Sequence, residues 1–215
     1  MSHRYFSRLH RRLAEAGVVI SIDLPGFAGL PKPRTDVNVE EMADALTRVI
    51  AAHGVGPVVL VGHSMGAQWI VEAARQRPDL VRQVIVIGPV TDERDRTLLG
   101  QATRLAADTT REPPAVNMIV LTDYLRCGAP WYFSQVRHML DYPLEQRVSE
   151  LSMRVVIIRG GDDRIAPLPW CRRLRDSARD GALLVVPGHA HVMQHSAPKA
   201  VASAIHSSVV EEGVT

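Results

Sequence analysis

Short runs of branched aliphatic residues alternate along this chain with longer stretches whose apolar positions recur every three or four residues. Val58, Val59, Leu60 and Val61 make a run too short for a helix and apolar on both faces, the pattern of a strand covered on both sides. Residues 84–87, 155–158 and 183–186 repeat it, and residues 18–22 read as a further strand. Helical spacing falls between these runs. Met42, Leu46, Val49 and Ile50 share one face of a segment opened by Asn38, with Glu41 three residues on, and closed by Gly54. Ile70, Val71, Ala73 and Ala74 mark a second helix that must stop before Pro78. Residues 167–179 and 198–209 predict two more, the last with Val201, Ile205 and Val209 inward. Phe6, Leu9, Leu13 and Ala16 predict an N-terminal helix ended by Gly17. Strands alternating with amphipathic helices predict an α/β fold, a mostly parallel sheet flanked by helices.

The rhythm breaks between residues 90 and 148. Helical segments are expected near 98–107, 116–126 and 131–140, punctuated by Pro113, Pro114, Pro130 and Pro143. This predicts a helical cap inserted over the sheet. The chain then divides into a core part at 1–89, a cap at 90–148 and a second core part at 149–215. Aromatic residues concentrate in the cap: Tyr124, Trp131, Tyr132, Phe133 and Tyr142. They either pack it onto the body or, for Trp131, Tyr132 and Phe133 in particular, line an apolar substrate pocket.

Composition narrows the function. The 215 residues suit one domain with an excursion. A formal net charge of +2 argues against a nucleic-acid partner. No apolar run approaches the ~20 residues that span a membrane. Cys127 and Cys171 are far apart with no metal spacing, which reads as a reduced, cytoplasmic protein. Residues 1–12 are basic and lack acids, as in a transit peptide, but their helical spacing favours a folded helix.

The chemistry centres on Gly62-His63-Ser64-Met65-Gly66, between a strand and a helix. G-x-S-x-G in that context is the signature of a nucleophile elbow. Side chains at Gly62 and Gly66 are expected to collide with neighbouring backbone. Ser64 at a helix N-terminus sits where free N–H groups favour developing negative charge. A serine needs a base, and the base an orienting acid, in loops at the carboxyl ends of strands. Asp162 and Asp163 follow one strand, and His189, His191 and His195 follow the last. The order Ser…Asp…His is the one that accompanies such an elbow. A zinc site from the three histidines is disfavoured, because no carboxylate or cysteine in the loop supports it.

The chain resembles the α/β-hydrolase superfamily, in the branch with a helical cap and a G-H-S-M-G elbow. Asp23-Leu24-Pro25-Gly26-Phe27 resembles its D-x-P-G-x turn, and residues 160–167 resemble its G-x-x-D-x-x-x-P acid loop. In that loop the acid stands four residues before the proline, which implies Asp163, with Asp162 as alternative. In this branch the base stands seven residues before the proline opening the last helix, which implies His191. It also usually follows a glycine, which keeps His189 as alternative. The resemblance implies a cofactor-free serine hydrolase acting on an ester or related activated carbonyl of a small, apolar substrate; with the charge, hydropathy and ligand arguments above, no metal, membrane or nucleic-acid partner is expected. The Met65 N–H would be one oxyanion donor, and His63 would pack beside the elbow. A C–C bond hydrolase, an acyltransferase or a non-catalytic ligand-binding member are the alternatives.

The superfamily's first three strands have no counterpart here, and residues 1–6 resemble the segment just after the His-Gly that precedes its second oxyanion donor, so the chain is expected to start inside that loop. The third strand would lie between residues 18–22 and the elbow strand. The favoured expectation is a native start about 40–80 residues upstream; the other is a working chain with a damaged sheet and an incomplete oxyanion hole.

Overall fold

The computed structural model describes residues 2–90, 92, 118, 122–123 and 126–210. Strands β1 (Val58–His63), β2 (Val81–Ile87), β3 (Arg154–Gly160) and β4 (Gly181–Val186) lie in that order, and each neighbouring pair is parallel. A 3₁₀ turn, His3–Phe6, leads into α1 (Ser7–Leu13). It is followed by α2 (Val39–His53), α3 (Gly66–Gln76), α4 (Ala129–Asp141), α5 (Leu144–Ser149), α6 (Leu168–Ser177), α7 (Met193–Ser196) and α8 (Pro198–Val210).

The two-residue period of the strands sorts the core into two layers. Val84, Val86, Val155 and Ile157 pack with α2, α3 and α6 on one face, while Ile85, Ile87, Val156 and Ile158 pack with α1 and α8 on the other. These eight side chains are wholly buried. The start of α2 is set by a reciprocal capping box. The Glu41 N–H donates to Asn38 Oδ1 at 2.9 Å, and the Asn38 N–H donates to Glu41 Oε2 at 2.9 Å. Gly54 ends that helix in the left-handed region, with φ +63°.

Residues 18–22 depart from the expected strand. They carry no strand assignment, and Val18 and Ile20 are exposed. Strand propensity largely measures packing against cross-strand neighbours, and these residues have none: the described sheet ends at β1. Leu9 and Leu13 of α1 on one side and Leu46 and Ile50 of α2 on the other face the space between residues 18–22 and β1. That space continues to Ser64 as one cavity of about 980 Å³.

Of the helices expected between residues 90 and 148, the one at 98–107 lies outside the described residues, as does Tyr124. In the segment at 116–126, Met118, Thr122, Asp123 and Arg126 are described and helical. The third is α4. It is anchored to the body at both faces: Gln135 Nε2 donates to Val37 O at 2.8 Å, and Gln68 Nε2 of α3 donates to Met139 O at 2.8 Å. Asp36 adds an ion pair with Arg137 at 2.8 Å and a hydrogen bond from Ser134.

Helix α6 braces the far end of β2. Trp170 is fully buried, and its Nε1–H donates to Pro89 O at 3.2 Å. Trp170→Ala is expected to cost about 3–5 kcal/mol through the cavity it leaves, read as a lower urea midpoint with the m-value unchanged.

Candidate functional site

The carboxyl edge of the sheet gathers the chemistry-bearing residues by a regular device. Past the end of each strand, an N–H of the leaving chain donates to a carbonyl near the end of the next. Ser64 N bonds Ile87 O at 3.0 Å, Gly88 N bonds Ile158 O at 2.9 Å, and Gly161 N bonds Val186 O at 2.8 Å. The three loops therefore leave the edge in fixed steps.

Ser64 stands at the tip of the first loop with φ +57°, one of two described non-glycine residues in the left-handed region. That conformation costs roughly 1–2 kcal/mol for a residue with a Cβ and turns the strand sharply into α3. At Gly62 an added Cβ would lie 2.5 Å from Gly66 O, so the expected collision exists there. At Gly66 it does not: nothing lies within 4 Å of the Cβ position, and the φ is not positive. The tightness of the elbow falls on Gly62, whose neighbour is the Gly66 carbonyl.

Asp163 and His191 meet below the elbow, with Nδ1 to Oδ2 at 2.9 Å and both residues buried. The other carboxylate oxygen, Oδ1, accepts the N–H groups of Ile165 and Ala166, each at 2.8 Å. Burial alone would raise the Asp163 pKa. The adjacent His191, its hydrogen bond and the two backbone donors outweigh burial and hold the carboxyl below its usual value. An ionised Asp163 accepts the Nδ1–H of His191, which leaves Nε2 as the basic nitrogen.

The alternatives point elsewhere. Asp162 is exposed, and its backbone N–H donates to His189 O at 3.0 Å. His189 is half-buried, with Nδ1 3.2 Å from Ser196 Oγ. His195 is buried on α7, where burial and then Arg8 lower its pKa, and neither ring nitrogen has a hydrogen-bond partner among the described residues. The three loop histidines thus turn to three different surroundings.

Trp131 is placed away from the expected pocket. Its indole covers Gly26, where an added Cβ would lie 2.4 Å from the ring, and its centroid is 6.4 Å from that of Phe27. It packs α4 on the 23–27 turn and is not among the cavity-lining residues; Tyr132 and Phe133 do line the cavity. Val90, Val136, Met139 and Ile165 form an apolar cluster against Met65 and Tyr132 beside the elbow. Met65 itself is the N-cap of α3, so its N–H lies among helix-terminal donors that lack intrahelical partners.

Two further residues, Gly88 and Arg159, shape the site and were not singled out from the sequence, and His63 packs beside the elbow as expected. Gly88, with φ +53°, passes directly under the acid–base pair: an added Cβ would lie 2.9 Å from His191 Cε1 and 3.3 Å from Asp163 Oδ2. Arg159 is buried at the end of β3, and its guanidinium donates to the carbonyls of Asp163 at 2.9 Å, Ala166 at 3.0 Å and Gly161 at 3.3 Å. An arginine directly after an apolar strand run was the available signal. His63 is buried beside His191, with ring centroids 4.6 Å apart. Burial and then His191 depress its pKa to about 3, so it is neutral at ordinary pH.

The alpha/beta hydrolase family profile matches residues 1–204. The chain belongs to the alpha/beta hydrolase family. Among curated relatives, the 2-(acetamidomethylene)succinate hydrolase of Mesorhizobium japonicum is 38% identical over 82 residues, which are 38% of this chain and 30% of that protein. The uncharacterized hydrolase YugF of Bacillus subtilis is 36% identical over 70 residues, 32% of this chain and 26% of that protein. The chain thus matches less than a third of the length of these relatives. Among solved structures, that of an E-2-(acetamidomethylene)succinate hydrolase superposes with a TM-score of 0.80 at 23% identity, covering 96% of this chain and 86% of the other. A thermophilic esterase from Thermogutta terrifontis superposes with a TM-score of 0.79 at 20% identity, covering 98% and 86%. At such identities the superpositions speak to the alpha/beta hydrolase fold alone.

The depressed His63 pKa carries a stability consequence for this alpha/beta hydrolase. Between pH 6.5 and about 3 the unfolded chain binds a proton at His63 that the fold excludes, so stability falls as pH falls, by ~1.4 kcal/mol per unit. From pH 7 to pH 5 the residue should contribute a loss of about 2 kcal/mol. Urea unfolding at the two pH values is expected to differ less by that amount in His63→Gln than in the wild type. Gly88→Ala should preserve the far-UV spectrum yet abolish the low-field Nδ1–H proton resonance of His191, because the added methyl occupies the space of the ring.

Proposed function

We propose that this chain is a serine hydrolase that cleaves an ester or related activated carbonyl with an apolar acyl group, through Ser64, His191 and Asp163. The observation that carries the reading is the buried 2.9 Å pair of His191 Nδ1 and Asp163 Oδ2 at the sheet edge from which the positive-φ elbow projects Ser64. In this reading His191 Nε2 takes the Ser64 hydroxyl proton as Oγ attacks the carbonyl carbon. Asp163 keeps the proton of His191 on Nδ1 and stabilises the imidazolium. The Met65 N–H, with the positive end of α3 behind it, stabilises the oxyanion. Collapse expels the alcohol, which takes the proton from His191. A water, deprotonated by the same nitrogen, then attacks the acyl-enzyme; the bond to Ser64 Oγ breaks, Oγ takes the proton back from His191, and the acid is released.

Support for an apolar acyl group comes from the wall beside Ser64, built by Met65, Val90, Tyr132, Val136, Met139 and Ile165. Arg82 is the one Lys or Arg among the described cavity-lining residues. It stands at the opposite end of β2 from Ile87, roughly 15 Å along the strand. The dicarboxylate named for the Mesorhizobium japonicum relative would meet no other Lys or Arg among the described residues that line the cavity.

Labelling with a fluorophosphonate probe and hydrolysis of a p-nitrophenyl ester series test this reading. Ser64 is expected to label, and Ser64→Ala to lose labelling and about 10⁴-fold or more in kcat. From acetate to octanoate, kcat/KM should rise by up to roughly fourfold per methylene buried. A better rate with a hemisuccinate ester would overturn the apolar assignment, and absence of Ser64 labelling would overturn the hydrolase reading.

A further inference from the structure

We propose that His63 is a positioning residue whose ring N–H fixes the distance between the base and the nucleophile; this rests on the reading of Ser64, His191 and Asp163 as an acyl-transfer triad. His63 ends β1 and is one peptide bond from Ser64. Its Nε2 lies 3.0 Å from the backbone carbonyl of His191. A carbonyl only accepts, so Nε2 carries the hydrogen and donates it. The elbow residue next to the nucleophile thus grips the main chain of the base.

The grip complements what holds the base from the other side. The loop carrying His191 is joined to the acid loop by Asp162 N to His189 O at 3.0 Å, by Gly161 N to Val186 O at 2.8 Å and by the His191–Asp163 bond itself. These fix the base to the acid. The bond from His63 ties the same loop to the elbow, which is the distance that matters for proton transfer from Ser64: an error of about 1 Å there can cost 10²-fold in rate.

The surroundings of the ring suit this role. Tyr5 and Phe6 pack on it with centroids at 5.4 and 6.4 Å, and His191 covers it at 4.6 Å. Only 7% of His63 is accessible, so little water can compete for the Nε2–H. The same enclosure keeps the ring neutral, as burial and then His191 lower its pKa. A neutral ring donates to the His191 carbonyl without placing a second positive charge beside the imidazolium that forms during the reaction.

Two substitutions separate a donor from a packing ring. His63→Phe keeps an aromatic ring of similar size and removes the N–H; His63→Gln removes the ring and keeps a nitrogen donor at similar reach. The proposal expects His63→Phe to lose about 10–100-fold in kcat with KM within about twofold, and His63→Gln to stay within about fivefold of the wild type. Wild-type kcat in His63→Phe, or a larger loss in His63→Gln than in His63→Phe, would overturn it. Thermal melts of both variants accompany the kinetics. The ¹³C resonance of the His191 carbonyl, which accepts the His63 bond, gives a readout that needs no turnover. If the wild type neither labels nor hydrolyses esters, the triad reading falls while the geometric claim stands or falls on that resonance. A shift in His63→Phe with a near-wild-type value in His63→Gln supports positioning, and no shift in either, or the same shift in both, overturns it.

Discussion

The arrangement depends on main chain passing close to main chain at the carboxyl edge of the sheet. Ser64, Gly88 and Gly161 each bond a carbonyl near the end of the adjacent strand, which carries the parallel ladder past the strands and into the loops. Such contact leaves no room for side chains at the crossing points. An added Cβ would lie 2.5 Å from Gly66 O at Gly62, 2.9 Å from His191 Cε1 at Gly88 and 2.2 Å from His189 O at Gly160. One glycine on each of β1 and β3, and one just past β2, therefore admit the elbow, the acid–base pair and the histidine loop to the same small volume. The sheet positions the site by what its backbone excludes as much as by what its side chains offer.

This explains which parts of the molecule were legible in the sequence. Strands buried on both faces carry their own signal, and β1 to β4 were each marked by an apolar run. The α2 boundaries were legible because a capping box and a left-handed glycine are local chemistry, satisfied within three or four residues. The elbow was legible because its glycine and serine are close in sequence. The acid and base candidates were marked by order and by loop position, and the spacing to Pro198 pointed to His191 over His189; His191 is the histidine that bonds Asp163, across 28 residues.

What was not legible depends on neighbours distant in sequence. Residues 18–22 have the composition of a strand, yet a strand exists only where a partner backbone lies beside it. Trp131 was offered as a pocket residue because large aromatics suit both cores and pockets. The left-handed turn at Gly26, φ +78°, presents a flat, side-chain-free surface that only tertiary structure reveals, and the indole covers it. Gly88 read as a plain strand end, and nothing local says that an imidazole will lie against it. Arg159 follows the expected strand at 155–158 and drew no notice in the sequence, and only the fold of residues 161–166 around its guanidinium shows how the charge is met.

The same logic accounts for the electrostatics. A carboxylate, a neutral imidazole and a guanidinium are buried at this edge, and each would be costly without polar partners. Main-chain groups supply most of those partners. Asp163 has the N–H groups of Ile165 and Ala166 besides His191, Arg159 has three carbonyls, and His63 has the carbonyl of His191. Backbone groups cannot rotate away or titrate, so the charge state of each side chain follows from the fold of the loops. Because the polar requirements are met from beneath, the described wall beside Ser64 can be apolar, as the cluster of Val90, Val136, Met139 and Ile165 is. A polar edge satisfied by main chain, beside an apolar wall, lets the wall residues change while the Asp163–His191 geometry remains undisturbed.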